Sequence, residues 1–292
     1  MKNTILLLAV LFFQSNMYGQ SQESSYPFEV KIEGKGDPII LIPGLASSGE
    51  VWNQTLEALQ NHYQCHILTL AGFNTQEPIN LEKGFLPVIQ EGIKKYIQQE
   101  LTQRPILIGH SLGGFLSMSL ASEDSKMLKK IIIVDSYPFI SAAFNPNATE
   151  ESSIPQAKMI KKMILSTADS TFAEQQKVTM ATMMKDSQKI KIATTWSLNS
   201  SRKTIAQAMY ELMTTDLREK ISQIKIPVLV LGSWYAAKDY GVTKEMIQSN
   251  YERQFQGVSS VKIKIAPTAK HFIMWDEPNW FYKEIKVFMN HE

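Results

Sequence analysis

Residues 105–120 restrict the possible fold more strongly than any other part of the chain. The apolar run PILI at 105–108 leads into the pentapeptide GHSLG at 109–113, and a helical pattern of apolar residues follows. A serine on such a turn takes a strained conformation that exposes its hydroxyl at the end of a sheet. Gly109 and Gly113 fit this turn because a side chain at either place would collide with neighbouring backbone. The segment therefore predicts a strand, a sharp turn that carries Ser111, and a helix.

Apolar runs elsewhere in the chain predict the rest of the sheet. Several consist almost wholly of Ile, Val and Leu, as expected where a parallel sheet is covered on both faces. Stretches with helical spacing, such as 51–59 and 85–96, separate them, so the alternation predicts a doubly wound α/β sheet. Gly34 and Gly36 predict a tight hairpin between the first two strands. The seven predicted strands cover residues 28–32, 38–42, 65–70, 105–109, 130–135, 227–232 and 261–265.

Residues 136–225 interrupt this alternation because they contain no strand pattern. Three apolar faces at helical spacing predict amphipathic helices there instead. We expect them to form a helical cap over the carboxyl ends of the strands, where open α/β sheets bind ligands. The three faces comprise Ile160, Met163 and Ile164; Met180, Met183 and Met184; and Ile205, Ala208, Met209, Leu212 and Met213.

The first nineteen residues predict a signal peptide. Lys2 supplies the positive charge, residues 5–13 form an apolar run too short to span a bilayer, and the segment ends in Met-Tyr-Gly before Gln20. We therefore expect export to the periplasm or the medium, with residues 20–292 forming one domain and no membrane span. A net charge of +2 gives no reason to expect a nucleic-acid partner. No metal-ligand spacing, phosphate loop or dinucleotide motif predicts a metal or cofactor.

Ser111 needs a general base to act as a nucleophile, and five histidines are available. His271 is the best candidate because it follows the last predicted strand by six residues, on a loop that can reach Ser111. The side chain of His110, next to the nucleophile, is expected to point away from it. The remaining histidines, His62, His66 and His291, lie before the nucleophile or at the chain terminus.

From about residue 28 to residue 288, the chain resembles the α/β-hydrolase superfamily. The matching elements are EGKGDP at 33–38, IILIPG at 39–44, the turn at 109–114, and His271-Phe272 with the helix after it. The family usually has His-Gly where this chain has Pro43-Gly44. The resemblance implies that the backbone N–H groups of Leu45 and Leu112 form an oxyanion hole.

The resemblance also implies a carboxylate that orients His271, and two candidates stay open. Family members carry an acid about three positions after the glycine that ends the penultimate strand, but Gly232 is followed here by SWY. The run KDYGV at 238–242 resembles the family pattern displaced by about four residues, which makes Asp239 the preferred acid. Asp135, at the end of the fifth predicted strand, is the alternative acid. A purely structural role for Asp135, in stabilising the turn with Ser136 and Tyr137, is the other interpretation.

These residues imply an enzyme that cleaves an ester or related acyl bond by a Ser-His-Asp mechanism. The expected substrate is a small molecule with a small to medium apolar acyl group, although lactones, amides and carbon–carbon bonds are open to the same triad. The alternative is a binding protein that kept the pocket and lost catalysis. Only the missing acid at the usual position favours it.

Overall fold

A computed structural model describes residues 26–290, and the predicted signal peptide lies outside them. Seven strands form one sheet in the order β1-β3-β2-β4-β5-β6-β7. Only β1 pairs antiparallel, with β3, so the predicted mostly parallel α/β sheet is confirmed. The strands are β1 Phe28–Gly34, β2 Asp37–Ile42, β3 Tyr63–Leu70, β4 Ile106–His110, β5 Lys130–Val134, β6 Val228–Gly232 and β7 Val261–Ile265.

Helices cover both faces of the sheet, and the sheet separates two apolar cores. Ile40 and Ile42 of β2 belong to one core, whereas Ile39 and Leu41 belong to the other, because successive side chains of a strand point to opposite faces. Every residue of β4, β5 and β6 is buried. The helices outside residues 136–225 are α1 Asn53–Leu59, α2 Leu86–Glu100, α3 Leu112–Glu123, α9 Lys244–Phe255, α10 Ile273–Asp276 and α11 Pro278–Asn290.

The predicted hairpin between β1 and β2 is wrong, because β3 lies between these two strands. Gly34 and Gly36 do turn the chain, with φ angles of +83° and +123°. A Cβ atom on Gly34 would lie 2.4 Å from the carbonyl oxygen of Tyr63, and one on Gly36 would lie 2.2 Å from that of His62. The two glycines thus let the chain pass closely over the start of β3.

Residues 136–225, the helical insertion, contain five α-helices and a 3-10 helix and no strand in this fully described segment. The predicted apolar face of α8 is largely buried, but that of α5 is not. Met163 is 52% exposed, and the residues that α5 buries are Ser153 and Ala157. The helices are α4 Ile140–Phe144, α5 Glu150–Ser166, α6 Asp169–Met183, α7 Ser187–Leu198 and α8 Arg202–Thr214.

The insertion packs against loops at the carboxyl ends of the strands. The amide of Ser201 donates to the carbonyl of Gly72, just after β3, at 2.8 Å. The amide of Phe272, after β7, donates to the carbonyl of Met183 at 3.2 Å. Within residues 26–290, none of the helices combines the length and apolar character that a bilayer span requires.

Candidate active site

Ser111 occupies the strained turn that the sequence predicts between β4 and α3. Its φ and ψ angles are 52° and −116°, a conformation that costs a residue with a side chain of the order of 1–3 kcal/mol. The surrounding contacts hold it there, because its amide donates to the carbonyl of Val134 at 2.8 Å. Ser111 remains partly exposed although β4 and the first turns of α3 are buried.

The close packing of this turn explains its glycines. A Cβ atom on Gly109 would lie 2.1 Å from the carbonyl oxygen of Gly113. A Cβ atom on Gly113 would lie 2.2 Å from the carbonyl oxygen of Ile42, at the end of β2. Because no real Cβ contact is this short, the turn can form only with glycine at both positions.

The amides of Leu45 and Leu112 lie on the two segments that meet at Ser111. Leu112 is the first residue of α3, so its N–H group has no carbonyl partner within the helix and carries the positive end of the helix dipole. Gly44 comes so close that a Cβ atom on it would lie 3.2 Å from the Cβ of Ser111. In the described loops and turns, neither amide donates to a backbone carbonyl.

His271 is held by Asp135, and the prediction that Asp239 would fill this place is wrong. Oδ2 of Asp135 lies 2.6 Å from Nδ1 of His271. The backbone of Asp135 has a φ angle of 48°, and its amide donates to the carbonyl of Leu231 at 2.7 Å. Asp239 is instead exposed, in a 3-10 helix at Tyr235–Tyr240 that carries it away from the end of β6.

Two residues that sequence reasoning missed complete the surroundings of Asp135. The amide and the hydroxyl of Ser233 donate to its two carboxylate oxygens at 2.7 and 2.8 Å. The hydroxyl of Tyr251 donates to Oδ1 at 3.0 Å. Burial, and then the charge of Asp135, raises the pKa of Tyr251 well above its usual value, so this hydroxyl remains a donor. The sequence did contain one indication: directly after Gly232, near the position where the family carries an acid, it has Ser233, a hydrogen-bond donor that can bind a carboxylate from another strand.

His110 contacts the backbone of His271 from the other side. Its Nε2 atom lies 3.1 Å from the carbonyl oxygen of His271, and the two ring centres are 4.6 Å apart. Burial, and then the proximity of His271, lowers the pKa of His110 well below its usual value. His110 is therefore neutral and donates its Nε2–H to that carbonyl.

The structure brings Ser111, Asp135 and His271 to the same edge of the sheet, because they follow the carboxyl ends of the parallel strands β4, β5 and β7. Among the hydrogen bonds of residues 26–290, none joins the Ser111 hydroxyl to the His271 ring. Such bonds are often long without substrate and tighten in the complex. Within the same residues, no group of three or more His, Cys, Asp or Glu side chains could hold a metal ion.

Comparisons with known proteins identify relatives of this chain and agree with its fold. A pimeloyl-[acyl-carrier protein] methyl ester esterase from Aliivibrio fischeri is 23% identical over 264 residues, which cover 90% of this chain and 98% of that protein. A hydrolase from Pseudomonas aeruginosa has the same fold with a TM-score of 0.75 at 14% identity, covering 92% of this chain and all of that one. An esterase from Exiguobacterium antarcticum also has a TM-score of 0.75 at 14% identity, with 90% and 96% covered.

The family model for the alpha/beta hydrolase fold matches residues 37–278, well over half of the chain. The match contains the strained turn at Ser111, Asp135 and His271, and also the helical insertion. The chain belongs to the alpha/beta hydrolase fold family.

Proposed function

We propose that this chain is an exported serine hydrolase that cleaves carboxylic esters with Ser111, His271 and Asp135. The observation that carries the proposal is the 2.6 Å contact between Asp135 and His271, at the same sheet edge as the strained Ser111. A carboxylate in that position fixes the imidazole tautomer that can accept a proton on Nε2. A solvated loop histidine would have no need of such a partner.

The reaction follows from the roles of these atoms. Nε2 of His271 takes the hydroxyl proton as Oγ of Ser111 attacks the ester carbonyl carbon, and Asp135 stabilises the imidazolium through Nδ1–H. The amides of Leu45 and Leu112 donate to the oxyanion, each contributing about 10²–10³ in rate. His271 then protonates the leaving alcohol. Water, deprotonated by His271, then attacks the acyl-enzyme. His271 returns this proton to Oγ of Ser111 as the carboxylic acid leaves.

The proposed substrate is a small molecule with a small to medium apolar acyl group. The apolar surroundings of His271 support this, because the ring of Phe272 contacts the His271 ring and belongs to the same apolar cluster as Met180, Met184 and Trp275. Thioether side chains adapt to acyl groups of varied shape. The esterases among the related proteins point to the same class of bond.

Export remains a proposal that rests on residues 1–19, outside the described part of the chain. The charged, apolar and small-residue pattern of this segment supports it. Sequencing the N-terminus of the protein recovered from its own cells tests it. A mature chain that begins near Gln20 supports export, and an intact Met1 contradicts it.

The catalytic proposal is tested with a fluorophosphonate probe and p-nitrophenyl esters of graded chain length. We expect covalent labelling of the native protein, hydrolysis that is fastest for short to medium acyl chains, and loss of both in Ser111→Ala. The alternative of a binding protein without activity was favoured only by a missing acid, and Asp135 now supplies a candidate. A folded native protein that neither labels nor hydrolyses would contradict our proposal and favour that alternative.

A further inference from the structure

The loop that carries His271 is bonded to the turn between α6 and α7, here called the α6–α7 junction (residues 181–189). The amide of Phe272, just after His271, donates to the carbonyl of Met183 at 3.2 Å. The ammonium group of Lys270, just before His271, donates to the carbonyls of Ala181 at 2.7 Å and Met184 at 3.3 Å. His271 is therefore held on both sides by the same part of the helical insertion.

Asp276 adds a second set of bonds between the two segments. Its Oδ2 accepts from the amide of Lys270 at 2.9 Å, and its Oδ1 accepts from the amide of Lys185 at 3.0 Å. The ammonium of Lys185 donates to the hydroxyl of Thr268 at 2.8 Å. That of Lys189 donates to the carbonyl of Trp275 at 3.3 Å. One carboxylate and three lysines thus link the α6–α7 junction to residues 268–276.

The ammonium group of Lys270 provides the positive charge and the hydrogen-bond donor that the C-terminal end of α6 lacks within the helix. The last carbonyls of a helix lack partners within it and carry the negative end of its dipole. The last turn of α6 contains no basic residue, and the helix ends without a glycine. The cation that compensates for this end comes from the residue before His271.

We propose that the α6–α7 junction positions His271 for catalysis, with Lys270 as the positioning residue. The inference deepens the proposed function and rests on it. Misplacing a reacting group by about 1 Å can lower the rate by about 10²-fold. The bonds on either side of His271 therefore affect kcat, because they fix the position of its ring. Movement of the helical insertion then changes the position of the base, and not only access to Ser111.

Lys270→Met tests the proposal, because it keeps an apolar stem of similar length and removes the ammonium group. We expect kcat to fall about tenfold while KM changes less than about threefold, since substrate contacts remain and the base is displaced. The downfield proton resonance of the Nδ1–H between His271 and Asp135 should broaden or shift. Lys270→Arg, which still donates to carbonyls, should restore kcat to within about threefold.

Two controls separate this result from general damage and from failure of the proposed function. Lys262→Met, at an exposed position on β7, should leave kcat and the proton resonance unchanged. Asp276→Asn, which loses one of the two acceptors, should repeat the fall in kcat. An unchanged kcat in Lys270→Met, or a loss that Lys270→Arg does not restore, overturns the positioning role. Absence of fluorophosphonate labelling in the native protein would instead overturn the hydrolase proposal.

Discussion

The carboxylate of Asp135 and the ring of His271 form a hydrogen bond of 2.6 Å although 136 positions separate them in the chain. Asp135→Asn keeps the shape of the side chain but favours the wrong imidazole tautomer, so we expect a loss of roughly 10⁴ in kcat. Asp239→Asn should stay close to the native rate, because Asp239 is exposed. Steady-state kinetics with one p-nitrophenyl ester measure both. A larger loss in Asp239→Asn than in Asp135→Asn would contradict the assignment.

Tyr251→Phe removes a buried donor to Asp135 without changing the packing of the ring. Because a hydrogen bond to a charged group contributes about 1.5–3 kcal/mol, we expect the free energy of unfolding to fall by that amount. Urea unfolding measures the change. Tyr235→Phe, in the loop after β6, is the matched control and should change the free energy of unfolding little. Equal stability of Tyr251→Phe and the native protein would show that the carboxylate does not need this donor.

Mild acid should destabilise the protein through two buried histidines. Burial lowers the pKa of both His66 and His110, so the unfolded chain binds protons before the folded one as the pH falls below about 6.5. Their stabilising contribution is therefore complete above that pH and is lost below it, at up to about 1.4 kcal/mol per pH unit for each group. Unfolding free energies between about pH 7.5 and pH 5 should show this slope.

The variant His66→Gln should make that slope shallower, whereas His62→Gln, at an exposed position, should leave it unchanged. An identical slope in the native protein and His66→Gln would assign the acid sensitivity to other groups.

Glu211 of α8 caps the first turn of α2, which has no cap from its own N-terminal residue. Its carboxylate accepts from the amides of Phe85 at 2.8 Å and Leu86 at 2.7 Å. Glu211→Ala should lower the free energy of unfolding by about 1–2 kcal/mol, as loss of a helix cap does. Glu174→Ala, at an exposed position of α6, is the control. Thermal or urea unfolding that fails to separate the two variants would contradict the capping role.

The sequence predicted those parts of the site that depend on neighbours in the chain. The turn at Ser111 could be predicted because GHSLG lies between an apolar run and a helical pattern. Gly109 is required by a contact with Gly113, four residues away, whereas the contact that requires Gly113 is with the distant Ile42. The seven strands could also be predicted, because the inner strands are rich in Ile, Val and Leu, and apolar and charged residues alternate in Phe28–Gly34 and Val261–Ile265.

What the sequence could not predict depends on which strands are neighbours. Asp135 and Asp239 both follow strands. Which of them contacts His271 depends on two features of the tertiary structure: β5 lies next to β4, and the 3-10 helix Tyr235–Tyr240 carries Asp239 away from the sheet. Likewise, Gly34 and Gly36 indicate a turn but carry no information about β3, which enters the sheet between the strands that they join.

Because Asp135 directly follows β5, the carboxylate that contacts His271 does not come from the loop after β6. Tyr240 in this loop is 87% exposed, whereas the start of the loop is anchored by Ser233 on Asp135 and by a 2.9 Å bond from the indole of Trp234 to the carbonyl of Pro267. Substitutions at the exposed positions Lys238, Asp239 and Tyr240 are therefore expected to leave the contact between Asp135 and His271 in place.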